Sequence, residues 1–488
     1  MTRTSADQTL EQLASAHSAF EKARSVTPST RAAWLEAVAA ALEEHGDELI
    51  HIAKRETHLE ENRLGFELKR SIFQLRLFAE EIVRGENLDA TIDHADPSWG
   101  MGPRPDIRRA KVPLGVVGVF GASNFPFAFS VMGGDTASAL AAGCAVVHKI
   151  HDGHLELGLR TGEIAMDALT AAGAPVGLFS TVAGRQSAEL LVEHPLVKAI
   201  GFTGSTAGGR ALFNKASARP TPIPFYGELG SINPVFVTEQ AWALRKKEIL
   251  AGYAGSFTMG MGQFCTKPGL LFAPVNETAQ FTQILTTELA GKQVAPLLSS
   301  RLRQGFDQAL AEVAAFEGVD VLVKGNEAEA PRPSVLITTA DTVRERPELL
   351  ELEMFGPATL VIGYAPGANL SELASLLDGQ LTSTVHAEPD ENVADLLTVL
   401  QEKSGRVVWN AWPTGVTVSY AQHHGGPYPA TTSNTTSVGT AAISRFMRPV
   451  AFDSFPEAQL PPALQDMNPW NIRRRVDGQW EEPSRRAG

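Results

Sequence analysis

Cys265 has a setting that suggests covalent chemistry. It lies in Gly-Gln-Phe-Cys-Thr-Lys-Pro-Gly, after a run of small residues and just before a Pro-Gly turn. Glycines let backbone approach a ligand closely, and backbone N–H groups there would lower the thiol pKa and hold an oxyanion. The alternative is a buried structural cysteine, the commoner fate of a free thiol. Cys144, between Gly143 and an apolar Ala-Val-Val, reads as strand core. Glu228 lies in PFYGELGSINP, flanked by Gly227 and Gly230 with no cation nearby in sequence. A carboxylate in such an apolar turn is expected to have a raised pKa and to serve as a general base; a solvated loop glutamate is the alternative. Asn124 follows the apolar run GVVGVF and precedes Pro126. It is either a helix cap or an amide donor aimed at a developing oxyanion.

Other candidates carry weaker chemistry. GSTAGGR follows a strand-like run and opens a helix-like one, as a dinucleotide loop does, but it lacks the middle glycine of G-x-G-x-x-G. His148, His151 and His154 are spaced three apart and invite a metal reading, yet they straddle a strand end and no Cys or carboxylate completes a tetrahedral set. No metal is expected. His423-His424-Gly-Gly reads as loop, and the absence of G-x-S-x-G and H-E-x-x-H removes two hydrolase classes.

These residues need a large scaffold, and the chain can build one. It has 488 residues, 43% hydrophobic and 20% charged, enough for about three folding units. Lys plus Arg number 42 against 55 Asp plus Glu, a net charge of −13. That balance argues against nucleic acid as a partner, and it means that an anionic ligand needs its own local cations. MTRTSADQTLEQ lacks the apolar core of a signal peptide, and no apolar run is long enough to span a membrane. A cytoplasmic protein with no membrane partner is expected.

The first hundred residues read as helical, with Trp34, Val38 and Leu42 recurring every fourth position and LGFELKRSIFQLRLFAEEIVRG forming a second amphipathic segment. DHADPSWGMGPRPDIRRAKVPLG has no helical period and suits an exposed arm or crossing. From Pro113 the pattern becomes strand, Gly-rich turn, helix. GVVGVF, CAVVHK and KAIGFTG are flat apolar runs, as in parallel strands covered on both faces, and AFSVMGGDTASALAAG reads as a helix. This alternation predicts a doubly wound α/β unit. INPVFV opens a second α/β region, and HHGGPYPATTSNTTSVGTAA reads as a long surface loop before a basic tail.

Taken together, the pieces resemble an aldehyde dehydrogenase over nearly the whole chain. PLGVVGVFGASNFP, VVHK, FTGST, YGELG, GQFC and EMFGP occur in that family's order. The resemblance implies an α/β fold with a Rossmann-type cofactor domain (residues 1–95 and 113–228), an α/β catalytic domain (229–432), and a small β oligomerisation arm with the C-terminal tail (96–112 and 433–488). It implies NAD(P)-dependent oxidation of a small-molecule aldehyde by Cys265, Glu228 and Asn124. It also places Lys149, Gly204, Ser205, Glu353 and Phe355 at the cofactor, and suggests a homodimer or homotetramer. SNFPFAFSVMGGDTASALAAGC and HHGGPYPATTSNTTSVGTAAISRFMRPV are closer to the 2-oxoglutarate semialdehyde dehydrogenases within the family. For such a substrate Arg70, Gln74 and Phe125 are the expected contacts, Arg70 reading the carboxylate and Arg76 standing nearby. Lys149-Ile150-His151-Asp152 departs from the family's Lys-Pro. Lys149 and Arg185 favour NADP through its 2′-phosphate, Asp152 favours NAD, and NADP is the expected cofactor.

Overall fold

In the computed structural model, residues 3–275, 278–292, 295–326 and 329–484 are described. Four helices open the chain: Ala6–Ala23, Pro28–Glu44, Gly46–Thr57 and Glu61–Arg84. The first carries a Ser5–Gln8 capping box, and Thr27 caps the second ahead of Pro28. The predicted stripe of Trp34, Val38 and Leu42 is buried. The fourth helix stops at Gly85, whose φ of 76° places it in the left-handed region. A Cβ there would also lie 2.5 Å from Ile472.

Three sheets organise the rest. The first is wholly parallel, in the order Phe179–Val182, Ala145–Lys149, Val116–Phe120, Val197–Thr203 and Phe225–Glu228. Its order reverses beside Val116–Phe120, and ligands of doubly wound sheets bind outside the carboxyl ends near such a point. Those ends deliver Lys149 and Glu228 to one rim. The second sheet has seven strands in the order Asp320–Val323, Ser334–Thr339, Ala358–Gly363, Leu270–Ala273, Pro234–Val237, Gln380–His386 and Ser404–Trp409. Only the edge strand Asp320–Val323 is antiparallel. Alternate residues of one strand enter different cores: Leu270 and Phe272 on one face, Leu271 and Ala273 on the other. This double coverage explains why these strands read as unbroken apolar runs. The third sheet joins Met447–Asp453, Ile107–Pro113, Thr91–Asp93, Arg474–Val476 and Gln479–Glu481.

Two expectations change. AFSVMGGDTASALAAG is helical only over Gly134–Ala142; residues 126–133 are turns, since Pro126 and the glycines at 133 and 134 break the run. HHGGPYPATTSNTTSVGTAA is irregular but not a surface loop. His424, Ala430, Thr431, Thr436, Ser437 and Val438 are all buried. The segment is drawn inward because it covers the free edge of the first sheet: Gly227 N–H donates to the Thr432 hydroxyl at 2.8 Å, and Thr432 N–H returns to the Gly227 carbonyl at 3.0 Å. Farther on, Arg445 forms an almost buried ion pair with Asp135 on the Gly134–Ala142 helix. Removing one member of such a pair leaves a buried charge without compensation. Asp135→Ala should lower unfolding stability by about 3–5 kcal/mol, read by denaturant titration; an unchanged midpoint would show that Arg445 has another counter-charge.

Candidate active site

Cys265 follows a tight left-handed turn at Gly260–Gly262. Gly262 has φ 68°, and a Cβ there would lie 2.1 Å from the Gly356 carbonyl, so this chain reversal requires glycine. Buried Asn233 fixes the stretch beyond the turn by donating to the carbonyls of Cys265 at 2.8 Å and Lys267 at 2.9 Å. Gln380 holds Asn233 in turn, its amide oxygen accepting the N–H groups of Ile232 and Asn233, each at 2.9 Å. The Cys265 backbone N–H makes no hydrogen bond among the described residues. It is therefore available as a donor beside its own sulfur.

Glu228 closes the last strand of the parallel sheet, and the inward-drawn segment brings His424 and Ser437 onto its carboxylate. His424 Nε2 lies 3.0 Å from Glu228 Oε1, and the Ser437 hydroxyl donates to Oε2 at 2.8 Å. His424 Nε2 is also 3.7 Å from Cys265 Sγ. The structure thus joins Cys265 and Glu228, as expected, and adds His424, whose sequence setting is that of a loop. Its signal was faint: one histidine of a His-His-Gly-Gly run, 159 positions from Cys265. These three side chains, all within 4.8 Å of one another, form a group close enough to share a metal ion. The His148, His151 and His154 triplet is not such a group among the described residues.

Both expected pKa directions are reversed. Burial raises the Cys265 thiol well above its ordinary value, and the charge of Glu228 and its hydrogen bond raise it further. Burial also pushes the Glu228 carboxyl up, but His424, Ser437 and Cys265 together outweigh it and hold the pKa below the ordinary value. Sequence inspection found no cation near Glu228 because its partners arrive from a distant segment. One negative charge is therefore favoured on this pair, and a second is opposed.

Asn124 is buried and caps no helix; its side-chain amide donates to the Gln263 carbonyl at 3.0 Å, two residues before Cys265. The helix-cap reading is thereby removed. The Asn124 carbonyl accepts from Arg63 at 2.6 Å. Arg63, Glu67, Arg70 and Gln74 share one face of the Glu61–Arg84 helix. Glu67 accepts the N–H groups of Phe127 at 2.8 Å and Ala128 at 3.0 Å, and so shapes the loop that carries Asn124 and Phe125. Phe125 packs edge-to-face on Phe264, the neighbour of Cys265, with centroids 4.9 Å apart. Arg70 donates through Nε to the Val416 carbonyl at 3.1 Å, and its guanidinium lies 5.2 Å from the Phe129 ring. Its two terminal nitrogens are buried without partners, as are both amide atoms of Gln74. Arg76 points elsewhere, paired with Glu36 and Glu43.

The cofactor candidates gather along the sheet rim. Lys149 ends its strand and pairs with Asp152 at 3.2 Å, the lysine side chain 15% exposed and the aspartate 72%. Arg185 opens the helix after the neighbouring strand, 91% exposed and paired with Glu189. Ser205 caps the Thr206–Ser217 helix, whose first turn is exposed. A Cβ at Gly230 would lie 2.7 Å from both the Glu353 carboxylate and the Thr206 hydroxyl, so only glycine keeps this cradle open. A helix N-terminus for phosphate, a rim lysine and a half-buried carboxylate fit a nicotinamide dinucleotide. Lys267 braces the loop beside Glu353, donating to the carbonyls of Met354, Gly356 and Ala358. Burial lowers its pKa to about 8 despite Glu353, and burial raises Glu353 to about 7 despite Lys267.

A parallel sheet with a dinucleotide cradle, facing a cysteine and a carboxylate, defines a nicotinamide-dependent oxidoreductase that works through a covalent thiol adduct. The chain belongs to the aldehyde dehydrogenase family, whose sequence profile matches residues 1–449. It is 40% identical over 481 residues to the alpha-ketoglutaric semialdehyde dehydrogenase of Acinetobacter baylyi, covering 97% of this chain and 91% of that one. It is 42% identical over 475 residues to alpha-ketoglutaric semialdehyde dehydrogenase 2 of Azospirillum brasilense, covering 96% and 90%. In fold it is similar to the glyceraldehyde-3-phosphate dehydrogenase GapN of Methanocaldococcus jannaschii, solved with NADP, at TM-score 0.78 and 19% identity over 93% of this chain and 95% of that one. The chain is thus an NAD(P)-dependent aldehyde dehydrogenase. Among the described residues no helix is long and apolar enough to cross a membrane.

Lys267→Met would strip the ammonium from those three carbonyls. The Met354 and Gly356 carbonyls keep the N–H groups of Gly356 and Ala358, each at 2.8 Å, but a hydrogen bond to a charged group contributes about 1.5–3 kcal/mol, so the variant should unfold at a clearly lower denaturant concentration with an unchanged m-value. Parent-like stability would mean that the backbone N–H groups alone satisfy this loop.

Proposed function

We propose that the protein oxidises 2-oxoglutarate semialdehyde to 2-oxoglutarate, with Cys265 as nucleophile and Glu228 as the base of the hydrolytic half-reaction. The observation that carries this reading is the placement of Cys265 Sγ and the Glu228 carboxylate within 4.8 Å of each other. The Cys265 thiolate attacks the aldehyde carbon, and the resulting oxyanion takes hydrogen bonds from the Asn124 amide and the Cys265 N–H. Bound NAD(P) supplies the hydride acceptor. Gly204, Ser205, Lys149, Glu353 and Phe355 would hold it along the rim. The adduct is left as a thioester on Cys265, and Glu228 draws a proton from the water that hydrolyses it. Its lowered pKa keeps it ionised and ready to accept that proton.

Support for the substrate comes from the relatives' names and from Arg70. A guanidinium buried with two unpartnered terminal nitrogens suits a terminal carboxylate, and the Gln74 amide suits a second oxygen. In a chain of net charge −13, such a cation must be local. For the cofactor, Lys149 and Arg185 share the rim on which the adenosine ribose would lie, and we read the preference as NADP. The third sheet ends on Met447–Asp453 and Gln479–Glu481, edges suited to a second copy of the chain in a homodimer or homotetramer.

Cys265→Ala should abolish turnover. Glu228→Gln should still give a cofactor burst on rapid mixing with aldehyde, while steady turnover falls about 10²–10⁴-fold. Full steady-state activity in either variant would sink the assignment. Arg70→Ala should lower kcat/KM for the semialdehyde acid by about 10- to 100-fold and leave an uncharged aldehyde of equal length nearly unaffected; equal losses on both would remove Arg70 from substrate reading. Because Asp152 occupies Lys149 in competition with a 2′-phosphate, Asp152→Ser should raise the NADP-over-NAD ratio of kcat/KM by about tenfold, and Arg185→Ala should lower it. A parent enzyme with higher kcat/KM on NAD would overturn the NADP reading and leave the chemistry intact.

A further inference from the structure

Glu228 and Cys265 account for nucleophile and base, and neither role uses His424. Yet His424 is wholly buried between them, and its backbone is pinned from both sides. Its N–H donates to the Thr436 hydroxyl at 2.8 Å, and its carbonyl accepts from Ser437 N–H at 2.8 Å. The ring has two unlike edges. Nε2 faces Glu228 Oε1 at 3.0 Å and Cys265 Sγ at 3.7 Å, whereas Nδ1 is buried with no partner. Nδ1 is unpartnered whether it donates or accepts, whereas Nε2 faces a carboxylate oxygen and a sulfur, both of which accept. That geometry places a proton on Nε2, where two acceptors compete for it.

We propose that His424 acts as a fixed neutral hydrogen-bond donor, its Nε2–H stabilising the single negative charge that Cys265 and Glu228 share. In the resting site the charge is on Glu228, and Nε2–H donates to Oε1. On activation the Cys265 S–H bond breaks, its proton passes to a Glu228 carboxylate oxygen, and the electron pair stays on sulfur. Nε2 keeps its own proton, and its hydrogen bond moves from Oε1 to Sγ as the charge moves. That sulfur pair then forms the bond to the aldehyde carbon. Glu228 afterwards releases the proton to solvent and is again a carboxylate when hydrolysis needs a base. The sulfur's proton goes to Glu228 and not to the ring, which separates this arrangement from a cysteine–histidine ion pair. Other charges bear on the same sulfur from separate elements: Arg406 from the strand Ser404–Trp409, Glu353 from the loop at 352–357, and Arg70 from the Glu61–Arg84 helix. His423 is the neighbouring titratable group on His424's own segment. Any pH profile must therefore be read against variants of His424 alone.

The proposal rests on Cys265 being the nucleophile, and the test separates the two. Alkylation of Cys265 by iodoacetamide, followed by peptide mass in the full-length enzyme without added cofactor, reports its thiolate directly. Cys144 is fully buried and serves as an internal control. The parent should show one rise in rate with pH, at or above the value for free cysteine. His424→Leu should move that rise up by about one pH unit or more, and should cut kcat by about 10²–10³-fold, as loss of a transition-state donor does. His424→Gln, whose amide can donate but cannot act as a base near neutrality, should recover at least about tenfold of the activity lost in the Leu variant. Three outcomes would overturn the proposal: a parent thiolate already reactive at about pH 6, as in an ion pair; a Gln variant as impaired as Leu; or a Leu variant that alkylates like the parent. The first is read on the unmodified enzyme, so it holds even if a variant fails to fold. Retained turnover in Cys265→Ala would instead remove the nucleophile assignment.

Discussion

Two groups that cannot both be charged face each other across one imidazole, and much of the protein is arranged to keep them so. Glu228 ends an edge strand, and an edge strand exposes backbone donors and acceptors that must be covered. The irregular stretch from His424 to Val438 does the covering. It pairs with the strand through Thr432 and Leu229 and, by the same path, lowers His424 and Ser437 onto the carboxylate. One requirement of backbone satisfaction thus also builds the electrostatic environment of the site. On the opposite side Asn233 and Gln380 fix the carbonyl of Cys265, so the sulfur approaches from a rigid turn. A site made of pinned backbone at both ends can hold the 3.7 Å contact from sulfur to imidazole without spending flexibility on it.

The helix Glu61–Arg84 solves a second constraint. A chain of net charge −13 repels an anionic substrate at long range, so attraction has to be short-range and desolvated. On the proposed reading this helix provides that with alternating charge along one face: Arg63, Glu67 and Arg70. Glu67 is spent on backbone N–H groups of the loop at 127–128, which leaves the arginines only partly neutralised. Burial lowers the pKa of Arg70, yet its ordinary value is so high that it stays cationic. A desolvated guanidinium lacking partners for two nitrogens is costly, and on the proposed reading a substrate carboxylate would relieve that cost. The same expenditure on a surface arginine such as Arg76, already paired with two glutamates, would bring no selectivity.

Flat apolar runs translated directly into parallel strands, because a strand covered on both faces has no reason to alternate. Cys265 and Glu228 were visible for a similar reason: each sits among glycines, and glycine at a close backbone approach leaves a mark in the sequence. His424 left no such mark. Its role comes from a contact spanning 196 positions to Glu228, and a histidine in a Gly-rich stretch looks the same whether it points to water or to a thiol. The pKa directions failed on the same ground. The residues next to Glu228 in sequence show the effect of burial, which is present, but not the distant His424, Ser437 and Cys265 that outweigh it. For Cys265 the local sequence suggests backbone dipoles and hides the carboxylate beside the sulfur. The turns at 128–133 resemble helix in sequence because small residues suit either state, and only the nearby Pro126 and the paired glycines argue otherwise.

A raised thiol pKa looks unfavourable for an enzyme that needs a thiolate, but it follows from asking one pair of residues to do two jobs. If the thiol were ionised at rest, Glu228 would have to be protonated, and no base would remain for hydrolysis. If both were ionised, burial and repulsion would raise the energy of the whole site. Keeping the charge on Glu228 until an aldehyde is present protects the sulfur, since a buried thiol resists oxidation far better than a thiolate. It also means that the proton leaves sulfur at the moment the new bond can take up the electron pair. Intrinsic nucleophilicity rises with thiol pKa, so a small thiolate fraction is partly offset by its greater reactivity. What the arrangement requires is a donor that reaches either anion, and the buried His424 Nε2, 3.0 Å from Glu228 Oε1 and 3.7 Å from Cys265 Sγ, is placed to be that donor.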